Sequence, residues 1–246
     1  INTCSVTEMA DHKCRQAINR LVRENPDSFV IVTGCYAQLE SEKVSKIDGV
    51  DLVLGSNEKA NLIQYLSEAW NEPREGHLHR FHHVKTKDIK SFQPSCSKGN
   101  RTRYFLKVQD GCNQYCSYCI IPFLRGNIRS RRPGEVRREA ERLAANGVRE
   151  LVLTGIHLSS YGRDFKNKEE REDFGDGAAN LLELLTLLDS VEGIERLRIG
   201  SLEPKIATPE FAEGLSKLKH FCPHFHLSLQ SGSNATLKRM NRRYTA

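Results

Sequence analysis

From Arg103 onward the chain alternates short β-branched runs with stretches of helical period, and this restricts it to a parallel sheet covered by helices. YFLKVQ, RELVLTG and RLRIGSLEP read as strands. HFHLSLQSGS reads as a fourth, with His226, Ser228 and Gln230 alternating against Phe225, Leu227 and Leu229. GEVRREAERLAANG places Val136, Ala140, Leu143 and Ala144 on one helical face and closes at Gly147. NLLELLTLLDSV is the next helix, and TPEFAEGLSKLK follows with Thr208 as its cap and Pro209 at its first position. These are four βα units, the last incomplete. Right-handed crossovers of this kind curl a sheet into a barrel or partial barrel, with the active site at the strand ends.

The first 72 residues form a separate α/β pattern. Ala10, Cys14, Ala17, Ile18, Leu21 and Val22 lie on one face of a helix over 7–25, which Pro26 ends. FVIVTG and VDLVLG are strand candidates and ANLIQYLSEAW is helical. The expected organisation is an N-terminal parallel α/β domain over 1–72, a linker over 73–101 and a partial (β/α) barrel over 102–246. The linker carries Pro73, Gly76, Pro94, Gly99 and the run HLHRFHH, with at most one irregular strand. Its histidines His77, His79, His82 and His83 could bind a metal, but no cysteine spacing flanks them, so a solvated linker is expected. The 16-residue stretch from Gly162 to Gly177 is charged and flanked by glycines, and reads as a surface loop.

The chain has 246 residues, 38% hydrophobic and 28% charged, enough to build a sizeable core. A net charge of +6 permits a nucleic-acid partner without requiring one. No apolar run reaches the roughly 18 residues of a membrane span, and INTCSVTEMADHK lacks the pattern of a signal peptide. A cytoplasmic protein with no membrane partner is therefore expected. The chain has no initiator Met, Ile1 to Cys4 reads like the end of a strand, and LKRMNRRYTA stops in a helical pattern. A piece lacking its beginning and its end is expected. Eight unevenly spaced cysteines then point to a metal site rather than a disulfide framework.

The densest chemistry lies in DGCNQYCSYCIIP, where Cys112, Cys116 and Cys119 crowd three thiols into one loop. A zinc site or a ferredoxin cluster usually takes four protein ligands, and no fourth Cys or His lies near in the sequence. Three ligands would leave one iron of a 4Fe–4S cluster open, as a catalytic site needs. Tyr118 puts an aromatic beside it. Cys4 and Cys35 each follow a strand-like run, at the strand end where parallel sheets place ligands. Ligation and a plain buried thiol both remain open for these two. Cys14 falls on a helix face as a small core residue, Cys96 lies in the linker, and Cys222 precedes Pro223. Arg125 and Arg131, close to the loop, are candidates for binding an anionic group, whereas Arg137 and Arg138 read as a solvated helix face.

Three cysteines so spaced, with an aromatic before the third and a strand just upstream, resemble the radical S-adenosylmethionine (SAM) superfamily. INTCSVTEMADHKCRQAI, VTGCYAQ, FLKVQDGCNQYCSYCIIPFLRG, LVLTGIHLSSYG, RIGSLEP and HLSLQSGSNATLKRMNRRYT together resemble its methylthiotransferases over nearly the whole chain. IIPFLRG and LTGIH look most like the branch acting on threonylcarbamoyladenosine in tRNA. Sister branches act on isopentenyladenosine in tRNA or on a ribosomal-protein aspartate.

The resemblance implies two 4Fe–4S clusters. Cys112, Cys116 and Cys119 would hold the one that cleaves SAM. Cys4 and Cys35 would supply two of the three ligands of the second, the third lying upstream of Ile1. It implies SAM contacts at Thr154, Gly155, Ile156 and His157, polar contacts from Ser201, Glu203, Gln230 and Ser231, and a possible carboxylate contact from Arg125. For Gly155 a turn requirement is the plainer alternative. It also implies a tRNA anticodon loop as substrate, an electron donor such as flavodoxin or ferredoxin, and a sulfur donor. A reading from another class, a non-catalytic metal-bearing RNA-binding module, would show zinc in place of iron.

Overall fold

The structure is a computed structural model that describes residues 1–5, 7–70, 80–94, 103–165 and 178–246. His77, His79, Cys96 and most of the loop between Gly162 and Gly177 lie outside these residues. The chain divides into two compact units. The first is Ile1–Ile89 with Cys119–Gly126, and the second is Lys90–Tyr118 with Asn127–Ala246.

In the first unit, β1 (Asn2–Thr3), β2 (Ile31–Gly34), β3 (Leu52–Leu54) and β4 (Arg80–His82) form a parallel sheet in chain order. Helix α1 (Glu8–Glu24) joins β1 to β2. Thr7 caps it by accepting from the Ala10 amide at 3.1 Å, and it stops at Asn25, immediately before Pro26. Short helices α2 (Cys35–Leu39) and α3 (Ser41–Ser45) follow β2, and α4 (Leu62–Trp70) follows β3. The core gathers Ile18 of α1, Val30, Val32, Tyr36, Ala37, Val44, Val50 and Val53.

Strand β4 falls in the stretch whose sequence reads as a linker. Its three residues, Arg-Phe-His, are too few to establish a strand period, and backbone pairing holds it. Leu52, Val53 and Leu54 pair with Arg80, Phe81 and His82, and the Gly55 amide donates to the His82 carbonyl at 2.8 Å. The neighbouring histidines have structural partners. His82 stacks on Tyr65 at 4.5 Å, and His83 Nδ1 shares a 3.1 Å hydrogen bond with the Ser41 hydroxyl.

In the second unit, β5 (Arg103–Asp110), β7 (Glu150–Gly155) and β8 (Arg196–Ile199) run parallel, and β6 (Arg129–Ser130) pairs antiparallel on the other side of β5. The short helix α5 (Ile121–Arg125) precedes β6 in sequence but belongs to the first unit. Helix α6 (Pro133–Ala145) links β6 to β7, α7 (Leu181–Asp189) precedes β8, and α8 (Pro209–Ser216) follows it. The order β6-β5-β7-β8 is the sheet of a partial (β/α) barrel. Tyr104, Leu106 and Val108 point from β5 into one core with Leu151 and Leu153 of β7, Val136 and Ala140 of α6, and Leu184, Leu185 and Leu188 of α7. Thr208 caps α8 through the Phe211 amide at 3.2 Å, as its sequence predicts.

The fourth strand is not formed as the alternation predicts. Leu227 makes a single parallel bridge to Leu202, and Phe221 another to Leu197. The amides of Leu229 and Ser231 donate to carbonyls two residues back, at 3.0 and 2.7 Å, and Gln230 has φ +65°. Those donors close tight turns instead of extending a ladder. The last helix, α9 (Asn234–Arg239), follows.

One buried carboxylate ties three strands of this sheet together. Glu150 accepts from Arg196 Nε at 2.9 Å and Arg198 Nε at 2.8 Å, and Arg103 Nε lies 3.7 Å away. The hydrogen bond from Arg196 outweighs burial, and with Arg198 and Arg103 it holds the carboxyl below its ordinary value. The partner arginines are partly exposed, so Glu150→Gln is expected to cost about 1–3 kcal/mol at neutral pH. The folded value is depressed, so this contribution is complete above about pH 4.3 and is lost as pH falls through the folded value. Thermal unfolding of wild type and E150Q across a pH series checks this. The gap between the two should be widest at neutral pH and close under acid.

Candidate functional site

Strand β5 delivers the cysteine loop. Its last two residues, Gln109 and Asp110, are buried and polar. Gln109 Nε2 donates to the carbonyls of Asp110 and Gly111, each at 2.8 Å, and its Oε1 accepts from the His157 amide at 2.6 Å. One side chain thus joins the start of the loop to the end of β7. Gly155 must be glycine for this. A Cβ there would stand 2.9 Å from both Cβ and Oε1 of Gln109. Asp110 accepts from the Gly111 amide at 2.8 Å and pairs with Lys107 Nζ at 2.6 Å. Asn113 Oδ1 accepts from the Ile128 amide at 3.2 Å, tying the loop to the run into β6.

The other side of the loop is held by the chain that follows α9. Ser117 N donates to the Met240 carbonyl at 3.1 Å. Asn241, at φ +56°, donates through Nδ2 to the carbonyls of Tyr115 at 2.8 Å and Gln114 at 3.3 Å. Arg242 Nη1 donates to Cys116 Sγ at 3.0 Å. Cys116 is buried and Cys112 half-buried, both in the second unit. Cys119 is half-buried at the head of the segment assigned to the first unit, with Arg125 in the last turn of α5. Tyr118 is exposed. Among the described residues no three His, Cys, Asp or Glu side chains are drawn close enough to hold a single metal ion. The donors nevertheless fit an iron–sulfur cluster chemically. None of the three cysteines is in a disulfide, and a guanidinium aimed at a sulfur suits the thiolate that binds iron.

A buried polar network lies behind Cys116. Glu203, just beyond β8, has its Oε2 3.2 Å from His157 Nε2 and 3.5 Å from Gln114 Nε2. His157 Nδ1 meets the Ser160 hydroxyl at 2.5 Å, and the Glu203 amide donates to the Ser159 hydroxyl at 3.1 Å. Arg242 Nη2 lies 3.1 Å from Glu203 Oε1 but off the hydrogen-bond direction, so this contact is an ion pair. Burial pushes the Glu203 carboxyl up, but the hydrogen bond with His157 and the charges of His157 and Arg242 hold it below its ordinary value. Burial likewise opposes the charge on Arg242, while Cys116, Tyr244 and Glu203 keep its guanidinium more firmly protonated than usual.

Of the polar residues that the family resemblance points to, His157 and Glu203 are therefore brought together, and Thr154 and Gly155 stand at the end of β7 beside them. Ser201 instead pairs with His226 Nδ1 at 2.7 Å. Gln230 and Ser231 sit in the turn before α9, where the Ser231 hydroxyl accepts from the Ser233 amide at 3.1 Å. Sequence reasoning did not single out Gln109, Asn241 or Arg242. The signal for Gln109 was a polar residue ending a strand otherwise built on inward apolar positions.

In the first unit, β1 pairs with β2 so that Thr3 faces Gly34. Cys4 directly follows β1 and Cys35 opens α2 directly after β2, so both come at the C-terminal edge of the sheet. Cys35 is buried and Cys4 exposed. Gly34 makes this pairing possible, because at φ +107° a Cβ would lie 2.2 Å from the Thr3 carbonyl oxygen. The Thr3 hydroxyl donates to the Thr33 carbonyl at 2.6 Å and accepts from the Ala37 amide at 3.3 Å, locking β1 to the start of α2. Cys14 packs against the core as expected, and its thiol also donates to the Cys4 carbonyl at 3.3 Å.

Comparison with known proteins identifies the family. The model of the radical SAM superfamily matches residues 106–246, more than half of the chain, and that of the uncharacterized protein family UPF0004 matches residues 1–55. The threonylcarbamoyladenosine tRNA methylthiotransferases MtaB of Bacillus subtilis and Aquifex aeolicus are each 40% identical to the chain over all of it. They are covered over 52% and 56% of their own lengths. The tRNA-2-methylthio-N(6)-dimethylallyladenosine synthase of Syntrophomonas wolfei is 36% identical over 99% of the chain and 53% of its own length. The chain thus spans about half the length of the curated relatives it matches. With the cysteine loop after the first barrel strand and this match over more than half of the chain, the chain belongs to the radical SAM superfamily.

Proposed function

We propose that the chain carries the catalytic part of a tRNA methylthiotransferase that adds a 2-methylthio group to N6-threonylcarbamoyladenosine beside the anticodon. What carries the reading is the 40% identity, along the whole chain, to two proteins bearing that name. The 36% relative named for dimethylallyladenosine favours a second reading, the isopentenyl-type adenosine, with the same chemistry on a different base. Cys112, Cys116 and Cys119 are the ligands proposed for one 4Fe–4S cluster, and Cys4 and Cys35 for part of a second. With a 4Fe–4S cluster and SAM bound, the site would supply radical chemistry able to take hydrogen from carbon 2 of the adenine.

The chain's own residues do the positioning. Gln109 fixes the entry of the cysteine loop against the end of β7, and residues 240–242 fix its far side. His157 and Glu203 hold one another beside Thr154 and Gly155, giving that strand end a fixed polar edge for the SAM amino and carboxylate groups. Arg125 is the candidate for an anionic contact. Among the described residues no helix is long and apolar enough to cross a membrane. The reading adds a cytoplasmic setting, an external electron donor such as flavodoxin or ferredoxin, and a sulfur donor. Nucleoside mass spectrometry of tRNA from cells with and without the gene tests it. Loss of 2-methylthio-threonylcarbamoyladenosine with retention of 2-methylthio-isopentenyladenosine is expected, and the opposite pattern selects the second reading.

A further inference from the structure

The buried guanidinium of Arg242 points to a role that the ligand spacing alone does not reveal. Its side chain is 8% exposed, and that of its partner Glu203 is 4% exposed. Nη1 is on Cys116 Sγ at 3.0 Å, Nη2 is 3.1 Å from Glu203 Oε1, and Nε is 3.3 Å from the Tyr244 hydroxyl. The Tyr244 ring lies against the same guanidinium at 5.0 Å. Each nitrogen of the planar fork therefore has an assigned neighbour, and the residue cannot swing away from the sulfur without leaving the others. The backbone around it is fixed as well, through Ser117 to Met240 and through Asn241 to the carbonyls of Gln114 and Tyr115.

Resting on the cluster reading above, we propose that Arg242 is a positioning residue that sets the reduction potential of the cluster held by Cys112, Cys116 and Cys119. Reduction adds one negative charge to the cluster. Hydrogen bonds to ligand sulfurs and the local net charge are the protein's means of tuning that step. A fixed cation in a region of low solvent access favours the reduced form more than the same cation in water. Glu203 restrains the effect, because its carboxylate neutralises part of the charge it orients.

A mere staple for the loop would act differently. Its removal would loosen the loop whichever member of the pair was changed, whereas an electrostatic role gives opposite signs for the cation and the anion. The test uses the full-length protein, reconstituted anaerobically, with iron counted. The cluster is titrated with dithionite and followed by electron paramagnetic resonance, and the SAM-binding cluster is recognised by the change in its signal on adding SAM. Arg242→Met is expected to keep its iron and to make reduction at least tenfold less favourable, about 59 mV lower for one electron. Arg242→Lys, which keeps the charge but not the fork, is expected to recover part of the shift. Glu203→Gln is expected to move the potential upward. Should R242M not fold, Arg242→Gln removes the charge while keeping a donor and is read the same way. An unchanged potential in R242M or R242Q overturns the proposal, as does a downward shift shared by the arginine variants and E203Q. If wild type binds no cluster whose signal responds to SAM, the cluster reading fails first, and that outcome is separable because it appears before any Arg242 variant is made.

Discussion

Replacing Cys112, Cys116 and Cys119 together with alanine is expected to remove about four irons per chain while leaving the fold intact and, in the full-length protein, to abolish the methylthiolation proposed above. Three ligands already leave a cluster one short, so loss of all three leaves no sulfur by which the loop can hold iron. The fold should survive because none of the three belongs to the second unit's main apolar core. The loop is also fixed by other groups, namely Gln109 and Asp110 before the first cysteine, Asn113 just after it, and Ser117 and Asn241 at the far side. Iron analysis after anaerobic reconstitution, set beside circular dichroism of the same samples, measures both halves. Retention of the full iron content by a well-folded triple variant would falsify the ligand assignment.

Gln109→Ala is expected to have the largest effect of any single change outside the cysteines. It strips partners from three backbone groups at once: the carbonyls of Asp110 and Gly111 and the amide of His157. Buried groups left unpaired cost roughly 1–3 kcal/mol each, and partial access of water should hold the sum near 3 kcal/mol. For a chain of this size that corresponds to a fall in Tm of about 6–12 °C. Gln109→Glu sharpens the experiment. It keeps the shape and the acceptor for His157 but sets an oxygen against the two loop carbonyls, so it should be no better than alanine. Differential scanning calorimetry gives the stability change, and release of iron to a chelator should accelerate several-fold in both variants. A Tm within 2 °C of wild type would show that the loop entry has support beyond Gln109.

Much of this architecture was legible in the chain itself, because burial imposes a period. The inward positions Tyr104, Leu106 and Val108, the face of Val136, Ala140 and Leu143, and the Thr208 cap each follow from local rules that tertiary packing did not override. Strand β4 was legible only as the one irregular strand the linker allows; its place and partner were not, since its pairing is carried by backbone groups over three residues. The segment around Leu227 misled in the opposite direction: its alternation is that of a strand, yet after Ser228, whose amide still pairs with Leu202, the amides of Leu229 and Ser231 are spent in turns. At the candidate site the three loop cysteines announce themselves by spacing. The groups that hold them do not, because Asn241 and Arg242 reach back 126 positions and Gln109 reaches forward to His157, and an ordinary polar residue carries no mark of what it will meet.

That separation has a consequence in time. Arg242 bonds to Cys116, 126 positions earlier in the chain. At roughly 5–20 residues per second of synthesis, Cys116 is joined to the chain about 6–25 s before its arginine is. During that interval the β5 end of the loop can already be in place, because Gln109, Asp110 and Gly111 are neighbours, but the far side has nothing to close it. The nascent protein therefore passes through a stage in which these thiols are made and not yet clasped. Until residues 240–242 arrive, metal delivery and oxidative damage would compete for the same open loop.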